Sequence, residues 1–303
     1  MQAHWRQGVW VAMVTPWDVA SGEPRAEAIR SLVNRFASAG VTGLFILGTT
    51  GEGTLLSPED RMKFAECVLA ESSGKLPVIV HTGHDRPPVV IELSLHAKRV
   101  GARAVAIAPP TRYRLDRQEL LDHYLSVARA LDGFPLFLYD IPETTGNPLG
   151  SELLKELRGQ APNVVGAKVS RMDWEAWESY LKLSGEVTLF IGKDEMVLPL
   201  LLLGGQGLVC SGANVLPELY VALFQAAQDG DIPRGVLLQG LINELCRACH
   251  LGSPLAYIKT AVSLMGWDVG PTLPPLRKLS SAERSELKAR LALIREKAEK
   301  LSV

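Results

Sequence analysis

One lysine stands inside an otherwise apolar run, Val164-Val165-Gly166-Ala167-Lys168-Val169, whose other side chains belong in a core. Desolvation at such a position favours the neutral amine, the species that attacks a ketone carbonyl to form an imine. The position equally suits a strand-end lysine that snorkels to water or pairs with a carboxylate. Tyr139 lies near the end of another apolar run, Pro135 to Asp140. A phenol there can pass protons to and from a carbinolamine, or simply fill a core with its hydroxyl satisfied. Thr49 and Thr50, between Gly48 and Gly51, can offer hydroxyls and backbone N–H groups to a carboxylate, or relay a proton. Glycine-rich turns also arise for tight geometry alone, and no Gly-Lys-Ser/Thr follows to make this a nucleotide-phosphate loop.

Two further groups have metal-like spacing. His81-Thr82-Gly83-His84-Asp85 would suit a metal-dependent aldolase or hydrolase, but no further histidine or carboxylate ligands follow the other apolar runs. Unliganded loop histidines are the expectation, with His84 a candidate for the pocket wall. Cys246-Arg-Ala-Cys249 lies in a segment of helical period without a second pair. Together with Cys67 and Cys210 these read as thiols, neither a zinc site nor a disulfide framework.

The elements that must hold these residues repeat regularly. Eight apolar runs, Val9–Val14, Thr42–Gly48, Pro77–Thr82, Ala104–Ala108, Pro135–Asp140, Val164–Val169, Val187–Gly192 and Gly207–Ser211, mostly recur about every thirty residues, as successive βα units do. Segments of helical period separate them. The pattern predicts an α/β fold, a (β/α)8 TIM barrel, with its site at the carboxyl ends of the strands. Ser57-Pro58-Glu59-Asp60 predicts a helix start with a reciprocal cap, and Asp116 to Ala130 puts Leu120, Leu121, Tyr124, Leu125 and Ala128 on one face. Beyond the eighth run, Pro217–Asp229, Gly235–His250, Pro254–Met265 and Ala282–Leu301 have helical period. We therefore expect a catalytic barrel over 1–225 and a tightly packed C-terminal helical appendage over 226–303, since no flexible linker divides them.

Bulk composition narrows the partners. With 32 Lys+Arg against 33 Asp+Glu and 47% hydrophobic residues, the chain has material for a full core but no basic field for nucleic acid or an anionic membrane. Its longest apolar stretch, Met196 to Leu203, contains Pro199 and is far too short to span a bilayer. Met1 to Gln7 lacks the pattern of a secretory signal, so the expected setting is cytoplasmic and the expected partner a small molecule. Trp174 and Trp177, in an otherwise charged segment, are candidate interface aromatics.

These motifs together resemble the dihydrodipicolinate synthase/N-acetylneuraminate lyase family of pyruvate-dependent class I aldolases. The matching pieces are Gly48-Thr49-Thr50-Gly51-Glu52, Tyr139-Asp140-Ile141-Pro142 with Thr145-Gly146, Gly166-Ala167-Lys168, Gly192-Lys193-Asp194 with Leu198-Pro199, Gly204-Gly205-Gln206-Gly207, and Asn214. The resemblance implies that Lys168 forms the Schiff base, Tyr139 shuttles protons and Thr49 continues the relay. It implies that Thr50, the adjoining Gly51 and the backbone around Val209 hold the pyruvate carboxylate. No metal or cofactor is implied beyond the covalent imine on Lys168, and a homotetramer or dimer is expected.

Departures from the pattern bear on the second substrate. In the synthases an arginine two residues after the proline of the tyrosine motif grips the aldehyde's carboxylate; here Pro142 is followed by Glu143 and Thr144. Thr111 stands where the synthases' relay tyrosine belongs, with Tyr113 two residues on and Arg112 and Arg114 as loop charges. Thr144, Thr145, Ser170, Ser211 and Asn214 supply polar strand ends that suit a 2-keto-3-deoxy sugar acid, or else tie down loops. The expected activity is carbon–carbon lyase or aldolase chemistry on 2-oxo acids that forms or releases pyruvate. The alternatives are 4-hydroxy-tetrahydrodipicolinate (dihydrodipicolinate) synthase and a non-catalytic sugar-acid-binding or regulatory paralogue.

Overall fold

The computed structural model describes residues 4–249 and 252–301, so the expected helix end at His250 lies outside the described residues. The strands are β1 (Gly8–Ala12), β2 (Trp17–Asp18), β3 (Glu23–Pro24), β4 (Gly43–Ile46), β5 (Val78–His81), β6 (Ala104–Ile107), β7 (Leu136–Asp140), β8 (Val164–Val169), β9 (Thr188–Ile191) and β10 (Gly207–Cys210). β1 and β4 to β10 form a closed barrel, each strand parallel to its neighbours, and β2 with β3 is a small antiparallel hairpin outside it. All eight expected runs are barrel strands. Six end sooner than their hydrophobicity suggested: Met13-Val14, Leu47-Gly48, Thr82, Ala108, Gly192 and Ser211 have left the sheet and line or support the mouth. The β2–β3 hairpin gave no signal in the reading above.

Both faces of each barrel strand are buried, which is why the runs are continuously apolar rather than alternating. Val11, Leu44, Ile46, Val105, Leu138 and Val169 face the surrounding helices. Trp10, Phe45, Ile79, Phe137 and Phe190 fill the interior. A Cβ on Gly43 would lie 2.5 Å from the Trp10 ring, so glycine there is the space the indole occupies.

The orientation of Lys168 depends on an irregularity. Leu136 pairs with Val164 but Phe137 pairs with Gly166, leaving Val165 as one extra residue on β8. Such a bulge reverses the alternation beyond it. Val165 is therefore inside the barrel, Ala167 and Val169 face the helices, and Lys168 turns inward opposite Tyr139 and Phe190. Gly166 permits the close approach, since a Cβ there would lie 2.0 Å from the Thr188 carbonyl oxygen.

Helix starts follow local chemistry. Ser57 accepts a hydrogen bond from the Asp60 N–H and Pro58 opens the helix Pro58–Ser72, as expected, but the reciprocal carboxylate bond is absent there; full capping boxes form instead at Asp116/Glu119 and Ser280/Glu283. The expected face of the helix Arg117–Ala130 is buried. Trp177 proves to be core, wholly buried with its indole N–H on the Arg171 carbonyl, whereas Trp174 is half exposed.

The helices Ile232–Cys249, Pro254–Leu264 and Ser281–Lys300 form the appendage, and the helix Pro217–Asp229 runs across the 225/226 boundary while packing on β1. The appendage braces the mouth at two points. Gln239 accepts from the Leu198 N–H at 2.8 Å and donates to the Asp194 carbonyl at 3.0 Å. Lys259 lies 2.6 Å from the Glu52 carboxylate, both side chains almost wholly buried, and that carboxylate also accepts from the Leu273 N–H. The Lys259–Glu52 contact is a charge pair rather than a well-aligned hydrogen bond. Cys246 and Cys249 are buried in their helix, and burial pushes the Cys249 thiol up to about 12, so they are inert core thiols.

Candidate active site

At the carboxyl end of the barrel a cavity of about 210 Å³ is lined by Thr49, Thr50, Tyr139, Lys168, Ser170 and Val209, with Gly192, Lys193, Asp194 and Glu195 on its β9 side. A wider cleft of about 700 Å³ lies between the helices Ala26–Ser38 and Ser281–Lys300 and is lined by Arg35, Trp267, Arg295 and Glu299. That cleft has no amine or thiol nucleophile and no strand end. The smaller cavity is the one that gathers the lysine, the tyrosine and the threonine pair at the strand ends.

Lys168 is 4% exposed, and its Nζ lies 4.0 Å from the centroid of the Tyr139 ring and 4.5 Å from that of Phe45. Tyr139 is 2% exposed, and its hydroxyl is 3.3 Å from Thr49 Oγ1. Burial alone would raise the Tyr139 pKa. The charge of Lys168, with polar contacts to Thr49, Lys168 and Ser170, outweighs burial and holds the phenol below its ordinary value. A phenol so placed gives up and regains a proton more readily than a free one.

His81 organises this wall. Its Nδ1 is 3.0 Å from the Leu47 carbonyl and its Nε2 accepts the Ala108 N–H at 3.3 Å, which assigns the proton to Nδ1. Burial, the neighbouring Arg61 and Lys168 lower its pKa to about 3, against a weaker opposing effect of the Leu47 carbonyl, so the ring is neutral. The imidazole packs edge-on to Tyr139 at 5.6 Å. Leu47 has φ 61°, a left-handed conformation strained for leucine, and its carbonyl is the one His81 holds. Buried Arg61 anchors the same region by donating to the carbonyls of His81 and Gly83.

The suspected metal cluster does not assemble. Both ring nitrogens of His81 are taken by backbone, His84 accepts the Arg86 N–H, and Asp85 accepts from the N–H and hydroxyl of Thr111. Among the described residues no group of three or more histidine, cysteine or acidic side chains could hold a metal ion.

Of the expected site residues, Lys168, Tyr139, Thr49, Thr50 and Val209 converge on the cavity. Gly51 lies just behind it, buried, its carbonyl accepting from Thr15. Thr111 and Thr144 do not reach it: both are exposed, Thr111 bound to Asp85 and Thr144 on the short helix Pro142–Thr145. Tyr113 is 71% exposed. Thr145 and Asn214 tie down loops, Asn214 joining the Ala12 and Ser211 carbonyls to the Val14 N–H. Asp140, facing away from the cavity, accepts from Tyr180 and the Leu149 N–H and pairs with Arg171, which fixes the end of β7. Lys193 and Glu195 are wall residues to which the motif match assigns no role. Their signal was available, for they follow Gly192 at a strand end.

Comparison with known proteins gives the chain its family. Residues 6–294 match the model of the dihydrodipicolinate synthetase family. An uncharacterized DapA-like lyase of Halobacterium salinarum is 36% identical over 285 residues, covering 94% of this chain and 93% of that protein. A 4-hydroxy-tetrahydrodipicolinate synthase of Methanopyrus kandleri is 32% identical over 286 residues, covering 94% and 95%. Among solved structures, the sialic acid aldolase of Ruminococcus gnavus superposes with a TM-score of 0.92 at 27% identity, covering 98% of this chain and 99% of the other. A prophage protein of Escherichia coli K12 from the dihydrodipicolinic acid synthase family, solved with pyruvate, gives 0.90 at 27% identity, covering 95% and 98%. The chain belongs to the dihydrodipicolinate synthetase family, whose members are DapA-like lyases and pyruvate-dependent aldolases.

Proposed function

We propose that this protein is a class I lyase that cleaves or forms a 2-keto-3-deoxy sugar acid through a pyruvate imine on Lys168. Lys168 passes a proton to the Tyr139 phenolate, its lone pair attacks C2 of the 2-oxo acid, and water leaves from the carbinolamine with protons moved by Tyr139. The protonated imine is an electron sink. In the condensing direction the Tyr139 phenolate, left after it protonates the departing water, takes a methyl proton, the enamine carbon attacks the aldehyde, the new alkoxide takes that proton back from Tyr139, and hydrolysis frees the lysine. Cleavage runs these steps in reverse. Thr49 relays the Tyr139 proton, while Thr50, the Gly51 turn and the backbone at Val209 receive the carboxylate.

The observation that carries this reading is one buried lysine against one buried tyrosine, with the phenol in reach of Thr49 and its pKa depressed. The choice of substrate rests on the β7 loop: Thr144, at the synthases' arginine position, is turned to solvent, so no guanidinium there meets a second carboxylate. The synthase reading remains the second hypothesis because relatives such as that of Methanopyrus kandleri carry that name. Exposed Leu202, Leu203, Val236 and Leu237, together with Met172 and Trp174, support assembly into a dimer or tetramer.

Incubation with pyruvate followed by borohydride should leave a reduced adduct on Lys168 by mass spectrometry, and Lys168→Ala should leave none. An adduct that persists in Lys168→Ala would refute the mechanism. Pyruvate release from 2-keto-3-deoxy acids and from sialic acid, set against condensation of pyruvate with aspartate semialdehyde, separates the two substrate hypotheses.

A further inference from the structure

Glu143, just after β7, and Lys193, just after β9, meet at 2.8 Å. Those strands flank β8, so their ion pair crosses the end of the strand that carries Lys168. Lys193 is 24% exposed and lines the cavity, whereas Glu143 is 59% exposed on its outer side. When Lys168 is held as the neutral enamine that meets the aldehyde, Lys193 is the remaining cation among the residues lining the cavity. The other charges on that wall, Asp194 and Glu195, are acidic.

We infer that the Lys193–Glu143 pair selects the acceptor: it admits a neutral, hydroxylated aldehyde and rejects one that carries a phosphate or carboxylate. This rests on the lyase reading above and adds the class of its second substrate. A hydroxyl can accept from Lys193 and donate to Glu143 without separating them, because the ammonium has three protons and the carboxylate spare lone pairs. An anion must instead displace the Glu143 carboxylate from Lys193 and lie beside it. Like charges brought together at a binding surface suppress the wrong ligand.

The test is aldol condensation of pyruvate with glyceraldehyde and with glyceraldehyde 3-phosphate, read as the ratio of their kcat/KM values. The wild-type protein should favour the neutral triose. Glu143→Gln, which frees Lys193 at an exposed position, should shift the ratio toward the phosphate by about tenfold at low salt, less at high salt, since exposed charges are screened. Adding Lys193→Met should reverse that gain. A ratio that Glu143→Gln leaves within twofold, or a wild-type preference for the phosphate, overturns the inference. Borohydride trapping of pyruvate in the wild-type protein is read alongside. An adduct with an unshifted ratio refutes the selection device alone, and no adduct refutes the lyase reading and this inference together.

Discussion

Gly192 offers the sharpest test of how the site is packed. A Cβ at this position would lie 2.0 Å from Ser170 Oγ, 3.1 Å from Ser170 Cβ and 3.0 Å from Lys168 Cε. Ordinary contacts begin near 3.4 Å, so Gly192→Ala must move the Ser170 hydroxyl by more than 1 Å and the lysine stem by a few tenths. Ser170 has little freedom to yield, being buried with its N–H on the Asp140 carbonyl and its hydroxyl 3.3 Å from the Gly192 carbonyl. Overpacking of this kind costs about 1–3 kcal/mol of stability. Misplacement of a reacting group by about 1 Å can cost on the order of 100-fold in rate. Gly192→Ala should therefore stay folded by circular dichroism, melt lower, and lose about 10- to 100-fold in pyruvate-releasing kcat/KM. Ser170→Gly should recover part of the loss in the double variant, because it removes the closest atom but not the contact to Lys168. Activity within threefold of wild type, or no rescue by Ser170→Gly, would show that the Gly192 side of the cavity does not set the position of Lys168.

Other outcomes follow from the same contacts. Tyr139→Phe should still accumulate the borohydride-trapped pyruvate adduct on long incubation while turnover falls by about 10²- to 10⁴-fold, the usual scale of a lost proton shuttle; equal turnover would remove Tyr139 from the mechanism. His81, whose pKa falls from 6.5 to about 3 on folding, binds its proton more tightly in the unfolded chain, so its contribution is complete above about pH 6.5 and is lost as pH falls toward 3. The stability difference between wild type and His81→Gln, measured by urea unfolding, should shrink by about 1.4 kcal/mol per pH unit between pH 6 and pH 4, whereas a flat difference would contradict a neutral buried imidazole. Lys259→Met leaves the Glu52 carboxylate buried and unpaired and should cost about 3–5 kcal/mol in the same assay, most of it restored by adding Glu52→Gln.

The barrel was legible because its signal is redundant. Eight runs buried on both faces must be apolar throughout, and each recurs after a helix whose own period is distinct. The mouth was less legible, for the same physical reason. Residues such as Met13, Leu47 and Ala108 are as buried as the strands they follow, so hydrophobicity continues after hydrogen-bonded pairing has stopped. Trp177 shows the converse limit: its charged neighbours suggested a surface, but one helix turn places it against the core while Trp174 stays outside. The appendage was visible as helices. Its work was not, because Lys259 reaching Glu52 across more than two hundred residues leaves no local trace.

For the site, residue types carried further than position did. Lys168 and Tyr139 stood out because a lysine or a phenol at the end of an apolar strand needs a reason to be there, and both line the cavity. Their convergence was not deducible from alternation, which counts inward positions from Val165 as Ala167 and Val169 and would turn Lys168 toward the helices. One unpaired residue on β8 reverses that count, and the only mark it leaves is Gly166, one glycine among 27. Thr111 and Thr144 lie away from this cavity. Carried onto the site by correspondence of motif position, they sit on loops whose path is set by other bonds, Asp85 for one and the Pro142–Thr145 turn for the other. A position on a strand is tied to its neighbours by register, whereas a position past a strand end is held by whatever bonds its loop makes, as Thr111 is by Asp85. Inference by motif is therefore soundest for the chemistry that the strands deliver and weakest for the second substrate, which the loops choose.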